Sequence, residues 1–317
     1  MTLPIALPLL SVERWRRCLS HRAMPVFVLL FSSSMWGLTW LPLKGFAQAG
    51  LSGPLLAMST YGAAGLVGLP LLLRQHKVWQ GQGTWLLWIA LVGGWGNTAF
   101  VSAMVMGDVV RGMLLFYLAP VWSVLGGRLF LSERISTRRA QAVALSLLGA
   151  FLVVGGPQAF STAPSAADLM AISAGLGFAG NNILARKTQS IPLCSKVVAV
   201  LIGCGITSLG MVFLLSISDL VPLQWPSVSA STVLSLLVFS LFWLGLVTAT
   251  WQWSVTRLEA GRSGVIAIAE LLVAVLSATL LGQEHLRLFE CLGGALITAA
   301  AVLEATDPHP PSTQEPT

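Results

Sequence analysis

Charged side chains are scarce in this chain of 317 residues. Lys, Arg, Asp and Glu together make up 9% of it, whereas hydrophobic residues make up 55%. A soluble domain carries about a quarter charged residues, so water is not the main solvent of this chain. At roughly 20 residues for each membrane-spanning helix, the sequence has room for about ten spans joined by short loops. It leaves no room for a sizeable soluble domain.

Motifs for nucleotide-driven or metal-dependent chemistry are also missing. No Walker A sequence occurs, so we do not expect ATP to drive the protein. The four histidines form no metal-binding pair, and the four cysteines show no CxxC spacing. We therefore expect no metal, no cofactor and no disulfide framework. The net charge of +6 is spread over short loops, which argues against nucleic-acid binding.

One serine motif has a form known from enzymes. Residues 261–264 read Gly-Arg-Ser-Gly, the form that intramembrane serine proteases use together with a histidine in a neighbouring span. The downstream candidate, His285, falls in a predicted charged loop. Ser263 falls at a predicted helix start, where serine is a common cap. We therefore predict that the protein is not an enzyme.

Continuous apolar runs, separated by charged residues or by Pro and Gly, predict an all-α membrane protein. The predicted transmembrane helices cover residues 24–43, 54–73, 85–106, 110–131, 139–155, 167–185, 197–217, 232–256, 263–282 and 288–304. Residues 1–23 are predicted to form a cytoplasmic N-terminal segment. Residues 305–317 are predicted to form a disordered cytoplasmic tail, because this stretch is polar and rich in proline.

The basic residues orient these spans. With the N-terminus in the cytoplasm, 15 of the 18 Lys and Arg residues fall on the cytoplasmic side, and the outer side keeps Lys44, Arg111 and Arg287. Cytoplasmic loops of membrane proteins carry such an excess of positive charge. Adding or removing one span would scramble this division. The prediction is therefore ten spans with both termini in the cytoplasm.

A weak internal repeat relates the two halves of the chain. Residues 108–133 align without gaps to residues 259–284, at an offset of 151 residues. The aligned charged residues are Asp108 with Glu259, Arg111 with Arg262, and Glu133 with Glu284. Each half holds five predicted spans, an odd number, so the two halves must lie upside down relative to each other. We predict two inverted five-helix repeats, a construction common in alternating-access transporters.

Four stretches resemble the drug/metabolite transporter superfamily, specifically the ten-span EamA-type members of bacteria. MWGLTWLPLK (35–44) resembles the family's Trp-Gly signature, and FAGNNILARK (178–187) is its second copy. APVWSVLGGRLFLSERIS (119–136) resembles the family's Pro-containing fourth helix, and AELLVAVLSATLLGQEHL (269–286) its ninth. In the ninth helix Leu271 stands where the family often has proline. The sequence therefore leaves a helix break there open.

The resemblance covers residues 24–304 and implies two EamA-like repeats, 24–155 and 156–304. It implies a secondary transporter in the bacterial inner membrane, usually an exporter of amino acids or other metabolites. The expected partners are a small-molecule substrate, protons if they drive transport, and the lipid bilayer. The alternative is a non-transporting assembly or sensor subunit. Such a protein needs a soluble domain or an interaction surface that the short loops do not offer.

Glu270 is the strongest candidate for a functional side chain. It lies seven residues inside its predicted span, roughly 10 Å along the helix axis. A charge at that depth costs several kcal/mol, and such residues usually face a cavity or a partner. Ala267, Ala274 and Ser277 share its helix face and leave room for substrate or water. We therefore expect Glu270 to bind a cationic group or a coupling proton, or else to make a structural hydrogen bond between helices or to remain protonated as a buried side chain.

Polar and aromatic residues of other spans complete the predicted site, which spans 1, 3, 4, 6, 8 and 9 would line. The candidates for substrate binding or coupling are Glu270, Asn97, Tyr117, Trp122, Asn181, Asn182, Thr248 and Gln252. Uncharged polar groups in spans either bind substrate or join helices together. Pro120 leaves the carbonyl of Phe116 without its helical partner, so it marks either a broken helix at the cavity or an ordinary kink.

Two charged pairs are candidates for gates. Asp108 and Arg111 are three residues apart, as are Glu259 and Arg262, and the predicted topology puts one pair at each membrane face. They are either gates that open alternately or local ion pairs at helix ends.

Overall fold

The computed structural model describes residues 23–51, 53–106, 109–153, 164–217, 228–282 and 288–306. The predicted N-terminal segment up to residue 22 and the predicted tail from residue 307 lie outside the described residues. The described residues form helices, turns and short connections, and no strand occurs among them. The prediction of an all-α protein is therefore confirmed.

The described helices lie close to the predicted spans, although several spans are divided. In chain order they are α1 Met24–Leu38, α2 Trp40–Gln48, α3 Gly53–Arg74, α4 His76–Trp79, α5 Gly83–Met106, α6 Val109–Phe116, α7 Ala119–Phe130, α8 Thr137–Val153, α9 Ala166–Lys187, α10 Leu193–Ile217, α11 Ala230–Val238, a π-helical turn Phe239–Leu244, α12 Gly245–Val255, α13 Ala260–Ala267, α14 Ala269–Gly282 and α15 Leu288–Ala305.

Six helical stretches of the described chain are long and apolar enough to cross a membrane. They are Met24–Gln48, Gly53–Arg74, Gly83–Ala103, Leu193–Ile217, Ala230–Val255 and Ala260–Leu281. Large apolar side chains such as Leu66, Phe242 and Leu280 point outward, as suits a surface solvated by lipid. The other predicted spans correspond to α6 with α7, to α8, to α9 and to α15, and their crossing of the membrane stays a prediction.

Two interruptions divide helices near the middle of the molecule. Between α6 and α7 the chain turns at residues 117–118, and Pro120 follows in the first turn of α7. Between α13 and α14 it turns at Ile268, whose N–H bonds to the carbonyl of Val265 three residues back at 3.3 Å. The second half of the chain therefore has a helix break as well, and that break needs no proline.

Glycine allows close contacts between helices. α3 packs along α10, and α8 packs along α15. A Cβ atom added to Gly205 would lie 2.9 Å from the Cα of Gly62, and one added to Gly149 would lie 2.7 Å from the carbonyl oxygen of Gly293. Small residues of this kind let helix backbones approach each other in membranes.

Candidate functional site

A cavity of about 100 Å³ lies between the helices, near both interruptions. The lining residues are Trp36, Tyr61, Gly93, Gly96, Asn97, Phe100, Phe116, Phe178, Asn181, Val200, Thr248, Trp251, Gln252 and Glu270. The predicted lining spans all contribute, and so do α3 and α10, which were not predicted to line the site.

Glu270 reaches this cavity because α14 begins beside the break at Ile268. It is the second residue of α14 and lines the cavity. Tyr117 lies in the other interruption, and its hydroxyl donates a hydrogen bond to Oε1 of Glu270 at 3.4 Å. The two broken helices thus meet through one phenol and one carboxyl group.

Two amide side chains face each other between α9 and α12. Nε2 of Gln252 donates to Oδ1 of Asn181 at 3.0 Å, while Oε1 of Gln252 is buried and has no hydrogen-bond partner among the described residues. Gln252 lines the cavity, and this oxygen keeps its capacity to accept a hydrogen bond. Asn182 is fully buried and is not a lining residue. Its Oδ1 accepts from the indole of Trp251 at 3.2 Å, so this contact joins the two helices.

A third amide is held by a tyrosine that the sequence reasoning missed. The hydroxyl of Tyr61 donates to Oδ1 of Asn97 at 3.3 Å, and Nδ2 of Asn97 donates to the carbonyl of Gly93 at 2.9 Å. The chain contains two tyrosines, and both hydroxyls bind a polar side chain at the cavity. Their rarity and their place within predicted spans were a signal in the sequence. Thr248, the predicted repeat partner of Asn97, also lines the cavity.

The remaining candidates lie elsewhere. Trp122 is not a lining residue of the cavity, and its indole nitrogen is buried without a hydrogen-bond partner in the described part of the chain. Asp108 and the side chain of Arg111 lie outside the described residues. Glu259 forms an ion pair with Arg139 of α8, and the gate or local ion pair expected of Glu259 and Arg262 stays a prediction.

Arg139 is the centre of a buried charged cluster at one end of the helices. Besides Glu259 it binds Oε1 of Glu304 through Nε at 3.0 Å. Glu133, in the connection between α7 and α8, accepts from the N–H of Ala260 at 2.9 Å and so caps α13. A carboxylate there compensates the unpaired N–H groups and the positive end of the helix dipole. Burial raises the pKa of Glu133, and the hydrogen bond from Ala260 acts against that rise.

The cavity combines apolar walls with a small number of polar groups. Glu270 is the acid among its lining residues, and these residues include no Lys, Arg or His. A carboxylate pairs well with an ammonium group, and aromatic faces attract cations as well. The amides and hydroxyls add neutral donors and acceptors. This arrangement suits a small molecule that carries an amine and an apolar body.

The chain is similar to known transport proteins. Residues 23–155 match the EamA-like transporter family. A relative from Streptantibioticus cattleyicolor, named "Probable terminal-alkyne amino-acid exporter", is 27% identical over 269 residues, which cover 82% of this chain and 85% of the relative.

A solved crystal structure of a protein resembles the fold with a TM-score of 0.69. The two chains are 20% identical, and the match covers 88% of this chain and 96% of the other. Because the identity is low, this likeness concerns the fold alone. The match of residues 23–155 to the EamA-like transporter family and the similarity to the exporter confirm the resemblance of this integral multi-pass membrane protein to the drug/metabolite transporter superfamily.

Proposed function

We propose that the protein is a secondary transporter that exports small organic metabolites, such as amino acids or drugs, across the bacterial inner membrane. The observation that carries this proposal is the cavity, where one carboxyl group meets aromatic walls and three amide side chains between two broken helices. Broken helices that line a polar cavity are typical of secondary transporters. The alkyne amino-acid exporter named above supports an amino-acid substrate.

The proposed substrate is an amine with a small apolar side chain. Its ammonium group pairs with Glu270, and its apolar part packs against rings such as Trp36 and Phe178, which line the same cavity. A carboxylate on the substrate would bind neutral donors such as Asn97 and Asn181, since the lining residues include no basic side chain. This division predicts that amines and zwitterionic amino acids bind, and that purely anionic metabolites do not.

The proposed architecture is ten spans in two inverted repeats, residues 24–155 and 156–304, with both termini in the cytoplasm. Several features support it. Gly62 contacts Gly205 and Gly149 contacts Gly293; the spacing is nearly the same in both pairs, as expected for equivalent residues that meet on a twofold axis. The interruptions at Tyr117 and Ile268 are 151 residues apart, which is the offset of the sequence repeat.

The two broken helices, α6 with α7 and α13 with α14, pack together at one end of the cavity and not at the other. This difference supports alternating access. α7 packs along α13, where a Cβ atom added to Gly264 would lie 2.8 Å from the Cβ of Ser123. At the other end, the described residues of α6 do not pack along those of α14 in a comparable way. By the predicted topology, the packed end faces the cytoplasm. We therefore propose that the cavity is closed on the cytoplasmic side in this conformation and opens outward.

Transport by the purified protein in liposomes tests the proposal. We expect saturable uptake and counterflow of radiolabelled norvaline and of propargylglycine, an amino acid with a terminal alkyne. Succinate is the anionic control and is expected not to move. A wild-type protein that is folded yet moves none of a panel of amino acids and organic amines would contradict the proposed function.

Orientation needs a separate test in cells. A cysteine at Asn97, in a variant without the native cysteines, should react faster with a membrane-impermeant thiol reagent added from the periplasm than from inside-out vesicles. Reporter fusions within residues 156–166 and 218–230 should report the periplasm. Cytoplasmic signals from both loops would contradict the inverted repeats.

A further inference from the structure

Lys196 is a buried cation outside the cavity. It lies in the first turn of α10, and 1% of it is exposed. Its Nζ donates to the carbonyl of Ala185 at 3.2 Å, to the carbonyl of Thr188 at 3.1 Å and to Oγ1 of Thr256 at 2.9 Å. An ammonium group has three donors, so all three are used. In contrast to Arg139, Lys196 has no carboxylate partner in the described part of the chain.

The three acceptors belong to the ends of two helices. Ala185 and Thr188 lie at the C-terminal end of α9, and Thr256 follows the last residue of α12. The last four carbonyls of a helix have no partner within the helix, and this end of the helix dipole attracts cations. Lys196 binds two carbonyls at the end of α9 and the side-chain hydroxyl that follows α12, and so ties the two helix ends together. Nη1 of Arg186 adds a second link, to the carbonyl of Thr256 at 3.2 Å.

This tie lies one helical turn from the amide pair at the cavity. Oγ1 of Thr256 accepts from Lys196 and donates to the carbonyl of Gln252 at 2.6 Å. Ala185 is four residues after Asn181, so it lies on the same face of α9. The hydrogen bond between Gln252 and Asn181 therefore joins the two helices directly beside the contact that Lys196 makes.

We propose that Lys196 is a positioning residue for substrate binding: it fixes the separation of α9 and α12 and thereby sets the Asn181–Gln252 pair in the cavity. This inference rests on the proposed function, because it assigns that pair to the substrate. Without this tie the ends of α9 and α12 separate, and the side chains of Asn181 and Gln252 change their relative position. The affinity for substrate then falls, while the steps that move it across the membrane change less.

Transport kinetics in liposomes, with norvaline as the probe, test this role. We expect Lys196→Met to raise KM by about 3- to 10-fold, the effect of one or two lost hydrogen bonds, with Vmax within twofold of wild type. Lys196→Gln keeps part of the donor set and serves as a second variant that perturbs the buried site less. Lys196→Arg, which keeps the cation, should restore most of the affinity. The control is Lys187→Met, an exposed lysine on α9, with no expected change.

A double substitution tests whether Lys196 acts through the pair of Asn181 and Gln252. If it does, Lys196→Met combined with Gln252→Ala should have a KM close to that of Gln252→Ala alone, because coupled residues are not additive. Independent, additive effects would overturn the proposal. So would a Lys196→Met variant that loses thermal stability but keeps its KM.

A measurement without substrate separates this inference from the proposed function. Spin labels at the exposed positions Gln189 and Arg257, in a variant without native cysteines, report the distance between the two helix ends. We expect Lys196→Met to lengthen or broaden that distance and Lys196→Arg to restore it. An unchanged distance would contradict the positioning role. A wild-type protein that does not transport norvaline or its analogues would contradict the transport proposal instead.

Discussion

The two interrupted helices reach a similar geometry by different local means. α6 and α7 are separated at residues 117–118, next to Pro120, whose missing N–H and ring disfavour a continuous helix. α13 and α14 are separated at Ile268, where the following turn contains Ala269, Glu270 and Leu271 and no proline. The second interruption must therefore be stabilised by packing around it.

Packing differs between the two interruptions as well. A Cβ atom added to Gly37 of α1 would lie 2.5 Å from the carbonyl oxygen of Glu270, whereas one added to Gly175 of α9 would lie 2.9 Å from that of Phe116. The backbone beside Glu270 is thus more closely covered by its neighbour. Proline is thus one way to break a helix at a cavity, and the break that lacks proline is the one with the more closely packed glycine.

The chemistry of the two interruptions is also unequal, and the largest predicted effect tests this difference. The second carries the acid, whereas the first supplies the phenol that binds it. We expect Glu270→Gln to reduce norvaline transport by about 10- to 100-fold, because a charged hydrogen-bonding partner contributes roughly 1.5–3 kcal/mol. The measurement is the initial rate of counterflow in liposomes over a range of pH.

The control for this prediction is Leu280→Ala, a change at a lipid-facing position of the same helix, which should leave transport near wild type. The idea that the acid is central would be wrong if Glu270→Gln kept wild-type rates at every pH. Glu270 would then be a structural hydrogen-bond partner of Tyr117.

The next prediction compares the two glycines that cover the interruptions. Gly37→Ala should destabilise the protein by about 1–3 kcal/mol, because overpacking forces the backbone to move. Gly175→Ala should cost less, since its nearest neighbour is farther away. Thermal unfolding in detergent measures both. In Gly45→Ala the new methyl group meets no atom within 4 Å, so this control should be neutral or slightly stabilising. Equal losses at Gly37 and Gly175 would contradict the proposed difference in packing.

The sequence was sufficient to place the helices because the bilayer requires long apolar runs. The run predicted at 85–106 is helical over Gly83–Met106, and the run at 288–304 over Leu288–Ala305. Interruptions were harder to predict. Pro120 marks the first, but the break at Ile268 depends on contacts from a distant part of the chain, which no local pattern contains.

The residues of the candidate site were also predictable only where a local pattern marks them. Glu270 was predictable because it is an acid far from a span end, where a charge is costly. Tyr61 was missed because hydropathy does not tell which face of α3 turns inward. Glu259 was predicted to act as a gate or in a local ion pair with Arg262, and the structure shows it in an ion pair with Arg139, which is 120 residues distant in the chain. Local spacing predicts neighbours along a helix, whereas tertiary packing decides between them and distant groups.

A smaller effect is expected at the phenol of the first interruption. Tyr117→Phe removes the hydrogen bond to Glu270, which is long at 3.4 Å, and keeps the ring that packs beside Phe116. We expect norvaline KM to rise by about 2- to 5-fold, because a hydrogen bond of this length is weak even when its acceptor is a carboxyl group. Tyr61→Phe is the matched change at the other tyrosine, and it should act on Asn97 rather than on Glu270. Combined with Glu270→Gln, Tyr117→Phe should add little, because the two residues share one contact.

The smallest effect should come from the proline itself. If packing stabilises the break at Ile268 without proline, the equivalent break between α6 and α7 should survive Pro120→Ala. We expect transport within about twofold of wild type, since alanine restores a backbone donor without forcing a continuous helix. Pro70→Ala, a change inside α3 and away from the cavity, is the matched control. A loss of transport as large as that of Glu270→Gln, without unfolding and without a similar loss in the control, would mean that the first interruption depends on its proline. The two breaks would then differ in cause and also in their dependence on the surrounding helices.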